Sequence, residues 1–259
     1  MSFFSRDDPQ YDSFVARYQA KLPAAKILYL FLHLLPGIAA YALINVSAVH
    51  DAALRLTGIP DNLLQYAYLI AFTFGWHMLV PLLTLRWADK LSFRESIAFL
   101  SLNRLDARGV FLVMPVVFVA WTAISLPYIK YVFPALQAWV SSIPGLSIPA
   151  YSIFQDDKYF AFPPLMLVFL GIGNFLGEEL YFRGYLLKKV GFLGDWAWLV
   201  NSLLFDLYHL WQAPTTWAII GLVPVFGLLM QWRKSLYPLI FFHLLVNILW
   251  GNVILARLT

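Results

Sequence analysis

The chain has 259 residues, of which 61% are hydrophobic and 12% charged, with no cysteine and a net charge of +4. The charged share is about half that of a soluble domain, so the composition excludes an ordinary water-soluble fold and points to the bilayer as solvent. The missing cysteine excludes disulfides, thiolate metal sites and cysteine nucleophiles, and basic residues scattered among short loops argue against nucleic acid as a partner.

In chain order, residues 1–23 are polar and open with no apolar run of the cleavable-signal type. Tyr11, Phe14, Val15, Tyr18 and Leu22 recur at helical spacing, which predicts an amphipathic helix on the membrane surface, with a partly ordered tail as the other reading. Seven apolar stretches follow, near 25–46, 64–85, 109–129, 161–187, 195–212, 214–231 and 236–256, each at or near the length that spans the hydrocarbon. The fifth and sixth are separated only by Gln212, Ala213 and Pro214, which predicts a tight hairpin. Pro36, Pro81, Pro115 and Pro224 fall inside predicted spans and should kink them. No strand pattern competes. The expected fold is all-α: a polytopic transmembrane bundle of about seven spans behind an N-terminal surface helix. The expected organisation is a tail over 1–23, accessory helices and an outer loop over 24–160, and a four-helix core over 161–256.

With the N-terminus inside, the inner segments hold thirteen Lys and Arg and the outer ones four, namely Arg55, Lys130, Lys158 and Arg257. The bias predicts a multi-pass protein of the cell membrane with a cytoplasmic N-terminus. The longest outer loop, roughly 130–160, carries Pro134, Pro144, Gly145 and Pro149 and has no assigned role.

Ionisable groups inside spans are costly, and they are distributed unevenly. The first three stretches hold only His33 and His77 well inside, whereas the last four hold Glu178, Glu179, Arg183, Asp206, His209, His243 and the amide Asn247. Glu179 and Arg183 are four apart, share a helix face and should pair. Glu178 is turned about 100° from Glu179 and should point elsewhere, unless all three form one buried ion network. Phe205 with His209, and His243 with Asn247, are likewise four apart. His33 and His77 are read as satisfied core histidines. Counting about 1.5 Å per residue from the span ends places Glu178, His209, His243 and Asn247 at about 14–20 Å depth. The expectation is one polar chamber, reached by water.

A carboxylate and two imidazoles can activate water, with Glu178 as general base. An amide and a second imidazole can hydrogen-bond a developing oxyanion. Glu178, His209 and His243 also suit a zinc ion with an open position, so a metal and a metal-free route both stand. The His-x-x-x-His spacing of common zinc peptidases is missing. Ser202 lies in no Gly-x-Ser-x-Gly, and no glycine-rich phosphate loop occurs.

Three signatures in order, Glu178-Glu179-x-x-x-Arg183, Phe205-x-x-x-His209 and His243-x-x-x-Asn247, resemble those of the CAAX prenyl protease and bacteriocin-processing (CPBP or Abi) family of intramembrane proteases. The match covers about 165–250, and Leu100-Ser101-Leu102-Asn103-Arg104 loosely resembles a loop of that family. The resemblance implies a peptidase with a membrane-embedded site. It implies that Glu178 and His209 activate water, that His243 and Asn247 stabilise the oxyanion, and that Glu179 and Arg183 support them. The family is often labelled metallopeptidase, and a glutamate mechanism without metal is also argued. Asp206 departs from the family, whose members more often have a small or apolar residue there. It either orients His209 or perturbs its charge, or is solvated at the outer end of a short helix.

The leading functional expectation is an intramembrane endopeptidase whose partners are membrane lipid and a peptide or membrane-protein substrate. The alternatives are a non-catalytic immunity or assembly factor on the same scaffold, and a proton-coupled transporter. A transporter should show an inverted repeat, and none is visible. Prenyl-cysteine processing is not carried over as the substrate.

Overall fold

The structure is a computed structural model that describes residues 3–147, 164–212 and 223–248. All regular structure among them is helical. Four helices are long and apolar enough to cross a membrane: α2 (Pro23–Asn45), α4 (Asp61–Trp87), α6 (Gly109–Tyr131) and α8 (Pro164–Lys189). Around them stand α1 (Pro9–Tyr18), α3 (Ser47–Thr57), α5 (Phe93–Phe99) and α7 (Phe133–Ser141). The chain continues through α9 (Ala197–Tyr208), α10 (Pro224–Arg233) and α11 (Tyr237–Leu245).

The surface is inverted relative to a soluble protein. Ile27 and Phe31 on α2, Phe111 and Val119 on α6, and Leu165 and Val168 on α8 are exposed, while His33, Gln65, Thr73, His77, Glu178 and Arg183 are buried. In hydrocarbon an exposed apolar side chain costs nothing, whereas a polar one must find its partners inside. The protein is a membrane protein built on this rule.

Several expectations change in detail. The first four stretches coincide with α2, α4, α6 and α8 within a few residues. The fifth is shorter than expected, because a 3-10 turn over Gly191–Trp196 precedes α9, and Gly194 there has φ of 57°. The hairpin at Ala213 and Pro214 and the end of the seventh stretch lie outside the described residues. Pro36 is inside α2 as expected, but Pro224 occupies the first turn of α10, where its missing N–H costs nothing. The segments expected as plain loops contain α3, α5 and α7, which are too short to register as spans. Serine starts α5 with a capping box, since Ser92 accepts from the Glu95 N–H and Glu95 from the Ser92 N–H.

The N-terminal helix exists, but it docks on protein. Tyr11, Phe14 and Tyr18 pack against the core cluster, and the Phe14 and Tyr18 rings lie 5.4 and 5.7 Å from that of Phe99. Asp8 caps α1 by accepting from the Tyr11 N–H at 3.0 Å. The Asp8 and Asp12 charges, added to burial, push the Tyr11 phenol above its ordinary value.

The centre of the bundle is the packing of α8 on α4, with α9 held between α2 and α10 and α11 against α6 and α8. Wide, π-type turns run through Ala71–Leu79 on α4 and through Gly173–Gly177 and Glu179–Leu186 on α8. Such turns concentrate at functional sites.

Candidate active site

Glycine sets the approach of the two central helices. A Cβ at Gly177 would lie 2.5 Å from the Thr73 carbonyl oxygen and 3.3 Å from the His77 Cβ. Only a residue without a side chain allows α8 to come this close, the small-residue packing familiar between membrane helices. The next residue is Glu178, so this contact fixes the start of the polar cluster.

Glu178 and Glu179 diverge as expected. Glu179, fully buried, accepts from Arg183 Nη1 at 3.4 Å and from His243 Nδ1 at 2.9 Å. The first contact is the expected i,i+4 pair, and the second ties α8 to α11. Glu178 makes neither contact. Its Oε2 lies 4.0 Å from His209 Nε2, it is 1% exposed, and among the described residues neither of its oxygens closes a hydrogen bond.

His209 follows the last residue of α9 and is held by the backbone. Its Nδ1 donates to the Phe205 carbonyl at 2.8 Å. A carbonyl can only accept, so Nδ1 carries a proton, and the Nε2 edge of the ring is turned toward Glu178. The same argument at His243 puts the proton on Nδ1, facing the Glu179 carboxylate, with Nε2 on the far edge of the ring. Phe205 has its own part, because the Arg183 guanidinium lies 3.9 Å over its ring and 5.1 Å over that of Phe226. Two phenylalanines and Glu179 thus enclose the buried cation.

Asn247 donates from Nδ2 to Asn174 Oδ1 at 2.6 Å, which fixes the orientation of its amide. Asn174 was not anticipated. The signal was present, since it is a polar residue four before Glu178 in an otherwise apolar run.

The remaining polar residues divide. His33 is a satisfied core histidine: Nδ1 donates to the Tyr29 carbonyl at 2.7 Å, and Nε2 is 3.0 Å from Asn201 Nδ2. His77 is core but not satisfied. Its ring lies 5.2–5.5 Å from those of Tyr181, Phe182 and Tyr208, and neither nitrogen closes a hydrogen bond among the described residues. Asp206 does not orient His209, whose Nδ1 is taken by Phe205; its carboxylate is instead within electrostatic reach of Arg183 and Tyr128.

Metal binding was left open on sequence grounds. Among the described residues no group of three or more His, Asp or Glu side chains is gathered closely enough to hold a metal ion. Glu178, His209 and His243 as they stand do not fit one, because Glu178 turns to His209 while His243 is drawn to Glu179.

Residues 160–249 match the sequence model of a family described as type II CAAX prenyl endopeptidase Rce1-like, about a third of the chain. The match bears out the resemblance carried by the three signatures and encloses every residue of the cluster. Searches of curated proteins and of solved structures found no match.

Proposed function

We propose, from the match of this segment to the CAAX prenyl endopeptidase family, that the protein is a membrane endopeptidase using water activated by Glu178 and His209. The observation that supports it most is the facing pair itself. A buried carboxylate that closes no hydrogen bond among the described residues stands 4.0 Å from the Nε2 edge of an imidazole whose Nδ1 is held by the Phe205 carbonyl. Two acceptors at that spacing can both receive hydrogen bonds from one water molecule.

Glu178 takes the proton as the water oxygen attacks the peptide carbonyl, and it or His209 returns a proton to the leaving amine. His243 and Asn247 receive the charge that develops on the carbonyl oxygen. Glu179 holds the His243 ring through Nδ1 and Asn174 holds the Asn247 amide, so the two side chains are fixed in place to face that charge. Arg183 gives Glu179 an ion-pair partner at 3.4 Å in an apolar surrounding. The basic bias of the loops supports a cytoplasmic N-terminus, with α1 in the N-terminal tail, α2–α7 as accessory elements and the core beginning at α8.

The test is Glu178→Gln in cells that make the protein, with membrane-protein fragments quantified by mass spectrometry. Loss of a general base lowers fragment yield by about a hundredfold or more. Fragment patterns that do not change between wild type and variant refute the proposal. The family description makes a prenylated peptide the first purified probe to try.

A further inference from the structure

One buried hydroxyl faces this site without a part in the mechanism above. Tyr208 is 1% exposed, and its hydroxyl is directed at the Glu178 carboxylate without closing a hydrogen bond. The phenol and both Glu178 oxygens are buried polar atoms without a bonded partner, side by side. Such groups are uncommon in folded proteins and call for a reason.

The surroundings aim this hydroxyl. The Tyr208 ring is held by those of Phe182 at 5.0 Å, His209 at 4.6 Å, His77 at 5.3 Å and Phe205 at 5.9 Å. Its backbone is held as well. A Cβ at Gly37 would run into the Tyr208 carbonyl, so α2 packs directly on this turn, and Asn45 Nδ2 donates to the Trp211 carbonyl at 2.8 Å. The Trp211 indole N–H is directed at the same phenol oxygen. Neither contact closes in this structure, but an indole N–H can only donate, so toward Trp211 the phenol oxygen can serve only as acceptor and its own proton is left for Glu178. The order Trp211, Tyr208, Glu178 therefore has one consistent direction of donation.

We infer that Tyr208 is a positioning residue for Glu178: its phenol donates a hydrogen bond to one carboxylate oxygen and leaves the other to take the proton of the attacking water. A carboxylate on a flexible stem has two equivalent oxygens. A fixed donor makes them inequivalent and selects the orientation that faces His209. This inference rests on the proposed peptidase reading of the same site.

The experiment compares wild type, Glu178→Gln and Tyr208→Phe. Fragments whose formation requires Glu178 are first identified in cells, and a synthetic peptide spanning the most abundant cleavage serves as kinetic probe for purified protein. The phenylalanine variant keeps the ring and its packing, so it melts at the wild-type temperature or above. Its kcat falls about ten- to a hundredfold, the loss expected for one hydrogen bond to a charged group, while KM stays within about twofold. A folded Y208F protein with wild-type kcat overturns the inference and leaves the peptidase reading intact, provided E178Q is inactive. Undiminished fragment formation in E178Q overturns both. Should Y208F not fold, Trp211→Phe carries the test, because the phenol then loses the donor that orients it. There kcat again falls with KM unchanged, and a wild-type kcat overturns the inference.

Discussion

Glu178 and Glu179 are adjacent, equally buried and chemically identical, yet the structure gives them opposite standing. Glu179 neutralises Arg183 and accepts from His243; Glu178 has no hydrogen bond and faces His209. Replacing each by Gln should separate them. Glu179→Gln leaves a fully buried guanidinium without its counter-charge, which costs about 3–5 kcal/mol, and it also frees His243. Glu178→Gln removes a buried charge that has neither the Arg183 pair nor the His243 contact and leaves an amide oxygen that can still accept from Tyr208, so stability stays the same or rises. Both variants lose peptidase activity, but only the first loses thermal stability in detergent. Equal melting shifts for the two would contradict the assignment. The i,i+4 spacing made the Glu179–Arg183 pair legible in the sequence. The His243 contact was not, because it joins residues 64 positions apart and depends on how α11 rotates against α8.

At the scale of the helix, the placement of these side chains depends on how closely α4 and α8 approach. Gly177→Ala puts a methyl 2.5 Å from the Thr73 carbonyl, a backbone atom that cannot step aside. Overpacking of this kind costs about 1–3 kcal/mol and displaces Glu178 with it. Gly171 on the same helix is the control, since its Cβ would meet only the Phe175 ring at an ordinary 3.6 Å. G177A should lower both the melting temperature and the yield of fragments, and G171A should change neither. A G177A protein with normal melting and activity would show that close helix approach is not what sets the site. The four long apolar runs were legible because hydropathy over a span length is a strong signal. Short elements were not. α3 and α5 look like polar connections until capping and packing are seen, and α9 begins after a 3-10 turn that no periodicity marks. His77 was misjudged for a related reason. Its place on an apolar helix suggested a satisfied core histidine, but aromatic rings from α8 and α9 surround it, and none supplies an acceptor.

Across the whole molecule, the polar N-terminal segment is tied to the Lys189 and Arg233 ends of the helices that carry the site. The Arg6 N–H donates to the Trp232 carbonyl at 2.8 Å, the Ala20 N–H to the Lys189 carbonyl at 2.9 Å, and Lys234 pairs with Asp12 at 2.7 Å. At its centre Arg233 makes a two-pronged contact with Asp106, Nη2 to Oδ1 at 2.6 Å and Nε to Oδ2 at 2.8 Å, and reaches the Phe4 carbonyl with Nη1 at 3.2 Å. Composition could mark this segment as polar but could not show what it binds, since its partners come from four separate stretches of chain. Burial works against an ionised Asp106, but the Arg233 hydrogen bonds and charge and the Gly109 N–H outweigh it and hold the carboxyl below its ordinary 3.8. A carboxyl whose value is lowered by folding contributes stability that is complete above that ordinary value and is lost as the pH falls through the folded one. Wild-type protein should therefore melt progressively earlier on acidification below about pH 4. Asp106→Asn removes this part of the acid dependence and, by leaving Arg233 buried without a counter-charge, lowers stability by about 3 kcal/mol at neutral pH. Thermal unfolding of both proteins in detergent from neutral to acid pH checks the two effects together. Parallel acid limbs, or equal melting at neutral pH, would mean that the N-terminal segment is held by its aromatic contacts with Phe99 and not by this ion pair.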